Sequence, residues 1–161
     1  MMTNELIIYF SKSGNSKNIA EALKELTGAD IFELEPVRKY PASYSLTVIR
    51  SRLEDFFRIE VKVKEYLDSI EDYDMIYIVF PVWAATFPRI VRQQLERLDF
   101  NGKTVRAVIS HGNGGFGKSR KDIREICKGA QIDEAFGIYD YNIKYAKRNL
   151  GEWLDRVNFK K

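Results

Sequence analysis

Short apolar runs alternate with amphipathic stretches along almost the whole chain. Leu6-Ile7-Ile8-Tyr9-Phe10 is an unbroken apolar run, the pattern of a strand buried on both faces. From about Asn15 to Leu26, Ile19, Leu23 and Leu26 recur at helical spacing, and Thr27-Gly28 supplies a glycine stop. Ile31-Phe32-Glu33-Leu34 alternates more and predicts a shorter strand nearer an edge, with Pro36 and Pro41 punctuating the loop beyond it. In the charged region from Tyr44 to Ile70, Leu46, Ile49, Leu53 and Phe56 predict a helix. Val61, Val63, Tyr66, Leu67 and Ile70 predict a second one after a break near Arg58-Ile59.

Met75-Ile76-Tyr77-Ile78-Val79-Phe80 is the strongest strand pattern and ends at Pro81. Phe87, Ile90, Val91, Leu95 and Leu98 then share one side of a helix, with Pro88 tolerable in its first turn. Asn101-Gly102 turns the chain into a fourth strand, Val105 to Ile109. A glycine-rich loop, His111 to Gly117, precedes a basic helix reaching about Cys127. Phe136 to Tyr139 predicts the last strand, and Ala146, Leu150, Trp153, Leu154 and Val157 line a final helix. Strands and helices thus alternate throughout. The expected fold is α/β: a doubly wound five-stranded parallel sheet with helices on both faces and right-handed crossovers.

Composition narrows the class further. The 161 residues fit one domain, 1–161, and 45% hydrophobic content suffices for a core without disulfides. The single cysteine, Cys127, excludes an internal disulfide and a multi-cysteine metal site. Beside Ile123 and Ile126 it reads as a buried, inert thiol. The single histidine, His111, has no G-x-S-x-G elbow to serve, so a hydrolase triad is not supported. No leader pattern and no apolar run near 20 residues is present, so a cytoplasmic protein without membrane association is expected. The net charge of +3 is mild. The cluster Lys118, Arg120, Lys121, Arg124 and Lys128 reads as a solvated helix face, and nucleic acid is not an expected partner.

The candidate chemistry lies in the turns after strands. Ser11-Lys12-Ser13-Gly14-Asn15-Ser16 joins the first strand to the first helix, where orphan N–H groups and the helix dipole favour an anion. Ser11, Ser13 and Ser16 add hydroxyls, Asn15 an amide, and Gly14 a free bend, which together make a phosphate cradle. A plain helix cap at Asn15 or Ser16 is the duller alternative. No Gly-Lys-Ser/Thr closes the turn, so it is not a Walker A loop. The loops at 81–87 and 110–117 follow strands 3 and 4, and a doubly wound order with strand 1 next to strand 3 would set them beside the first loop on one rim. Pro81, Trp83 and Phe87 offer an aromatic face there, and the glycines at 112–117 allow close backbone approach. Together the loops suit a planar heteroaromatic ligand carrying a phosphate. Gly112 to Gly117 also matches G-x-G-x-x-G literally, but it does not lie in the first βα turn, which argues against a dinucleotide fingerprint.

On these residues the chain resembles the flavodoxin family. Tyr9-Phe10-Ser11-Lys12-Ser13-Gly14-Asn15-Ser16 is similar to its phosphate loop, Phe80-Pro81-Val82-Trp83 followed by Pro88 to its strand-3 flavin loop, and Ser110 to Gly117 to its strand-4 loop. The resemblance implies the strand order 2-1-3-4-5 and the cofactor FMN. Ser11, Ser13, Asn15 and Ser16, with the backbone around Gly14, would hold the phosphate, and Lys12 would offset its charge or face solvent. Pro81, Val82, Trp83 and Ala84 would line one side of the isoalloxazine; His111, Gly112, Asn113, Gly114, Gly115 and Phe116 would approach its other edge. Where related loops commonly carry Trp-Trp-Gly, this chain has Trp83-Ala84-Ala85, and alanine is expected to resist positive φ there. The function implied is an electron-transfer flavodoxin working between redox partner proteins. The alternatives are an FMN-dependent NAD(P)H oxidoreductase acting on quinones or other small acceptors, and an interaction module without FMN.

Overall fold

The computed structural model describes residues 3–160; Met1, Met2 and Lys161 of the expected 1–161 domain lie outside them. Six strands form one parallel sheet: β1 (Glu5–Tyr9), β2 (Asp30–Glu33), β3 (Met75–Pro81), β4 (Thr104–His111), β5 (Gln131–Ile132) and β6 (Phe136–Tyr139). The order is β2-β1-β3-β4-β5, and β6 also pairs with β4. This is the expected doubly wound 2-1-3-4-5 sheet, with its fifth position shared by two short strands. β5 pairs the start of β4 (Thr104 with Gln131) and β6 its end (Val108 with Phe136). Gln131-Ile132 is too short to show any periodicity, so the sequence predicts β6 and misses β5.

The helices are α1 (Asn15–Thr27), α2 (Tyr44–Phe56), α3 (Arg89–Leu95), α4 (Ser119–Ile126) and α5 (Ala146–Phe159), the last preceded by a 3-10 turn at Asp140–Tyr145. Alternation along the central strands divides the core into two layers. Ile7, Tyr9, Tyr77 and Val79 meet Ile19 and Leu23 of α1 and Leu150 and Trp153 of α5. Leu6, Ile8, Ile76, Ile78 and Phe80 meet Ile90 and Leu95 of α3 and Ile123 of α4. Arg106 interrupts the apolar run of β4 yet is only 1% exposed. Its Nε donates to Asp133 Oδ2 at 2.8 Å, Nη2 to Asn158 Oδ1 at 2.9 Å and Nη1 to Tyr77 Oη at 3.3 Å. The buried cation is therefore paired and hydrogen-bonded, as burial demands.

The region 44–70 departs from expectation. Its first helix forms, but Leu46, Ile49, Leu53 and Phe56 face solvent, while Thr47, Ser51 and Glu54 are buried. Two of these three inward polar residues, Thr47 and Glu54, have partners there. Thr47 Oγ1 donates to Pro41 O and Ser43 O, both at 2.9 Å, and Glu54 accepts from Tyr40 Oη at 2.8 Å and from Arg50 Nε at 2.7 Å. The second helix is absent. From Phe57 to Asp74 the chain is extended or turning, and it sets Val61 and Ile70 into the core. Two glutamines of α3 satisfy its backbone. Gln93 accepts from Val61 N–H at 2.9 Å and donates to Val61 O at 2.6 Å; Gln94 does the same for Leu67, at 3.0 and 2.9 Å. Each amide side chain thus replaces a ladder partner.

No helix among the described residues is long and apolar enough to cross a membrane. Cys127 is 1% exposed, and burial pushes its thiol up from 9.0 to about 12. It is expected to resist a thiol-selective aromatic disulfide reagent at pH 8 in the native protein and to react promptly in denaturant; fast native labelling would contradict its burial. Because the folded pKa is raised, its contribution to stability is complete below the free-thiol value of 9.0 and lost as pH rises through about 12.

Candidate functional site

The parallel register levels the carboxyl ends of the central strands: Tyr9 of β1 pairs Val79 of β3, and Pro81 pairs Ser110 of β4. The first loop leaves β1 through Phe10 and bends at Gly14, where φ is 99°. Gly14 N–H donates to Ser11 Oγ at 3.1 Å, and Gly14 O accepts the first helical bond, from Asn18 N–H at 2.9 Å. No side chain caps α1. The plain-cap alternative is therefore not what the loop does: Asn15 Nδ2 donates to Asp140 Oδ1 at 3.1 Å, and the buried Ser16 hydroxyl shares a 3.1 Å bond with Ser110 Oγ. The first-turn N–H groups keep their anion-binding potential. Lys12 neither faces solvent freely nor floats over the loop: its Nζ donates to Ala42 O at 3.0 Å.

The second loop is a tight hairpin. Trp83 N–H donates to Thr86 O at 2.8 Å and Thr86 N–H to Trp83 O at 3.2 Å, with Ala84 at φ 50° and Ala85 at φ 69° between them. Paired positive φ values are the geometry of a type I′ turn, which favours Asn-Gly. Alanine is expected to avoid that region, yet both alanines occupy it. Tertiary bonds hold them there: Lys118 N–H donates to Ala85 O at 2.6 Å, and Thr86 Oγ1 donates to Asp122 Oδ2 at 2.5 Å. The loop thus carries strain in the form in which it is common near functional sites. Trp83 is buried edge-on between Phe10 and Tyr40, with ring centroids 5.3 and 4.9 Å away. Tyr40 is fixed in turn by its bond to Glu54, and its hydroxyl pKa is raised first by burial and then by that bond.

In the third loop, His111 Nδ1–H donates to Gly112 O at 2.7 Å. The imidazole packs edgewise against Tyr139 at 4.7 Å and Phe116 at 5.6 Å between centroids. Phe116 lies so close over Gly137 that a Cβ there would fall 2.1 Å from its ring. Gly117 is a genuine necessity, since its φ is 52° and a Cβ would sit 2.1 Å from Ala85 O. The second and third loops therefore touch backbone to backbone.

These loops enclose a cleft of ≈ 340 Å³. Ser11, Lys12, Ser13, Asn15 and Ser16 line one part of it, Pro81, Val82 and Trp83 a wall, and His111, Gly112 and Asn113 the opposite edge. Gly14 shapes the first loop without lining the cleft. Ala84 turns away into a neighbouring groove, and Gly114, Gly115 and Phe116 also stand outside the lining. Tyr44, Ser110 and Asp140 line the cleft although the sequence reading did not place them in the site. Ser110 was legible as the first residue of its loop motif. Asp140 was not, because it comes from the turn after β6. The cleft combines donors at one end, an aromatic wall, and a backbone edge that reads hydrogen-bonding groups, within the size range of small-ligand sites. Among the described residues no cluster of His, Cys, Asp and Glu could hold a metal ion.

A doubly wound sheet with a cleft at the strand ends, next to its switch point, is the arrangement in which open α/β sheets bind small ligands. The sequence profile of the family described as Flavodoxin matches residues 4–157, and the chain belongs to that family. None of the curated proteins matches it. A candidate flavoprotein from Bacteroides uniformis ATCC 8492 shares 26% identity over 93% of this chain and 99% of its own, with a TM-score of 0.78. One from Bacteroides eggerthii DSM 20697 shares the fold at 23% identity, covering 97% and 98%, with a TM-score of 0.81. A flavoprotein from Lactobacillus acidophilus NCFM, solved in complex with FMN, shares it at 19% identity, covering 88% and 97%, with a TM-score of 0.67.

Two substitutions test the loop geometry with opposite signs. Ala85→Gly is expected to stabilise the protein by about 1 kcal/mol, since it relieves a left-handed alanine. Gly117→Ala is expected to destabilise it by at least about 2 kcal/mol. Urea unfolding of both variants decides the point, and a destabilised Ala85→Gly protein would contradict the strained turn.

Proposed function

We propose that the protein binds FMN in this cleft and carries electrons between redox partner proteins. The observation that supports this most is the uncapped start of α1 beneath Gly14, opening into a cleft with an aromatic wall. The residues fit the cofactor. Ser11, Ser13 and the N–H groups of Asn15 and Ser16 would hold the phosphate, while Ser16 and Ser110 tie the loop to β4. Lys12 supplies a cation from its anchored position, and Asn15 is oriented by Asp140. Val82 and Trp83 would bound the ring system, and the backbone of residues 111–113 would meet its polar edge. FMN when bound supplies the one- and two-electron chemistry. The protein's part is to exclude water from one ring side through the Phe10, Tyr40 and Trp83 cluster and to hold the phosphate end fixed.

Fluorescence-quenching titration with FMN and with riboflavin tests this reading. FMN is expected to bind and riboflavin to bind far more weakly. Ser13→Ala with Asn15→Ala is expected to weaken FMN by about a hundredfold or more, each lost charge-assisted bond being worth about 1.5–3 kcal/mol, and to leave riboflavin nearly unchanged. Equal affinity for both flavins would remove the loop from the site. Steady NAD(P)H oxidation by the purified FMN-loaded protein alone would overturn the carrier role in favour of an oxidoreductase.

A further inference from the structure

The outer face of α2 is the largest feature that the cleft does not explain. Leu46, Ile49, Leu53 and Phe56 form an apolar ridge about 15 Å long by helical rise, continued by Phe57 and Ile59. All are exposed, Phe56 at 82%. A contiguous apolar surface of this kind marks an interaction site. The ridge starts at Tyr44, which lines the candidate cofactor cleft.

Cations flank the ridge on both sides. One groove, shared with Ala84 of the strained hairpin, is lined by Arg52, Arg58, Arg89 and Lys118. No hydrogen bond or ion pair among the described residues engages those side chains, whereas Arg92 beside them is paired with Asp122 at 2.9 Å and Asp55 at 3.9 Å. On the other side Arg38, Lys39 and Lys62 line a second groove, and Leu53 borders both. Glu96 is the one carboxylate of the first groove left outside those ion pairs.

We propose that this face is the docking surface for a redox partner whose complementary surface is acidic around an apolar centre. The proposal rests on the electron-carrier reading for the nature of the partner. Charge selects the occupant. A second copy would bring unpaired cations against unpaired cations, which is unfavourable. A uniformly anionic bilayer would meet the buried-edge carboxylates Asp55 and Asp122 as well as the cations, and it offers no group that must approach the cleft. An acidic protein can set carboxylates opposite the arginines and an apolar residue on Leu53 and Phe56. Docked there, it sits next to Tyr44 at the cleft mouth.

The test is titration of the 15N-labelled chain, with and without FMN, by an acidic plant-type ferredoxin as the probe and basic cytochrome c as the control. Amide signals of residues 44–59 and 89–92 are expected to shift with the ferredoxin only. The affinity is expected to fall about tenfold as the Debye length shrinks from about 30 Å to about 8 Å. Arg52→Glu with Lys118→Glu, and separately Leu53→Ser with Phe56→Ser, are each expected to weaken it about tenfold while the rest of the spectrum stays native. Absence of a ferredoxin response, or shifts elsewhere on the chain, overturns the proposal. So does a concentration-dependent shift of α2 without probe, which assigns the face to a second copy, or a response to phosphatidylserine vesicles alone, which assigns it to a membrane. A salt-sensitive α2 response in a chain that binds no FMN keeps the docking surface and defeats the carrier reading; bound FMN with a silent α2 defeats the docking surface alone.

Discussion

The site depends on register. β1, β3 and β4 run parallel, and their pairings stop within a residue or two of one another: Tyr9 opposite Val79, and Pro81 opposite Ser110. The three loops consequently start from one level and can only meet above the sheet. Slipping β1 by a single residue would exchange its two faces, moving Ile8 out of one apolar layer and Ile7 out of the other. The core of this protein is therefore also the jig that aligns its cleft.

How far the sequence reveals this differs by element. The buried strands and the phosphate-type turn follow from local chemistry, because Leu6 to Phe10 and Met75 to Phe80 are apolar throughout and Ser11 to Ser16 are nearly all small donors. Ser16 and Ser110 meet because of the sheet order, whereas the alternation of elements implies only a parallel sheet. The region 44–74 is where local reading fails. The period of α2 is right, but hydrophobicity alone does not show that Leu53 and Phe56 face solvent, because it cannot foresee that Tyr40, Arg50 and Pro41 satisfy Glu54 and Thr47. The segment after it loses its helix to Gln93 and Gln94, whose amides act from about 30 residues away in sequence. Long-range side-chain capping of an extended strand leaves no periodic trace. Neither does a buried arginine: nothing local in Val105 to Ile109 indicates that Asp133, Asn158 and Tyr77 surround Arg106.

The orientation of α2 also links surface to site. Its polar inner face reaches Glu54, Glu54 holds Tyr40, and Tyr40 braces Trp83 at the cleft wall. Arg50 closes the set, bonded to Glu54 and lying 4.2 Å over the Tyr40 ring. One helix thus presents an apolar ridge outward and, through a short polar chain, sets the position of an aromatic ring at the ligand cleft. Anything that tilts α2 acts on that ring through groups held at hydrogen-bond distance, where little slack exists.

The divided fifth position of the sheet has an effect on behaviour in concentrated solution. A long edge strand exposes a row of free N–H and C=O groups that another molecule can pair with. Here β5 spans only Gln131–Ile132 and β6 only Phe136–Tyr139, and between them Asp133 is drawn inward to Arg106. The opposite edge, β2, is similarly brief at Asp30–Glu33 and carries a carboxylate at each end. The sheet therefore ends on both sides in borders too short to template growth, one flanked by carboxylates and the other broken by the ion pair that anchors β4.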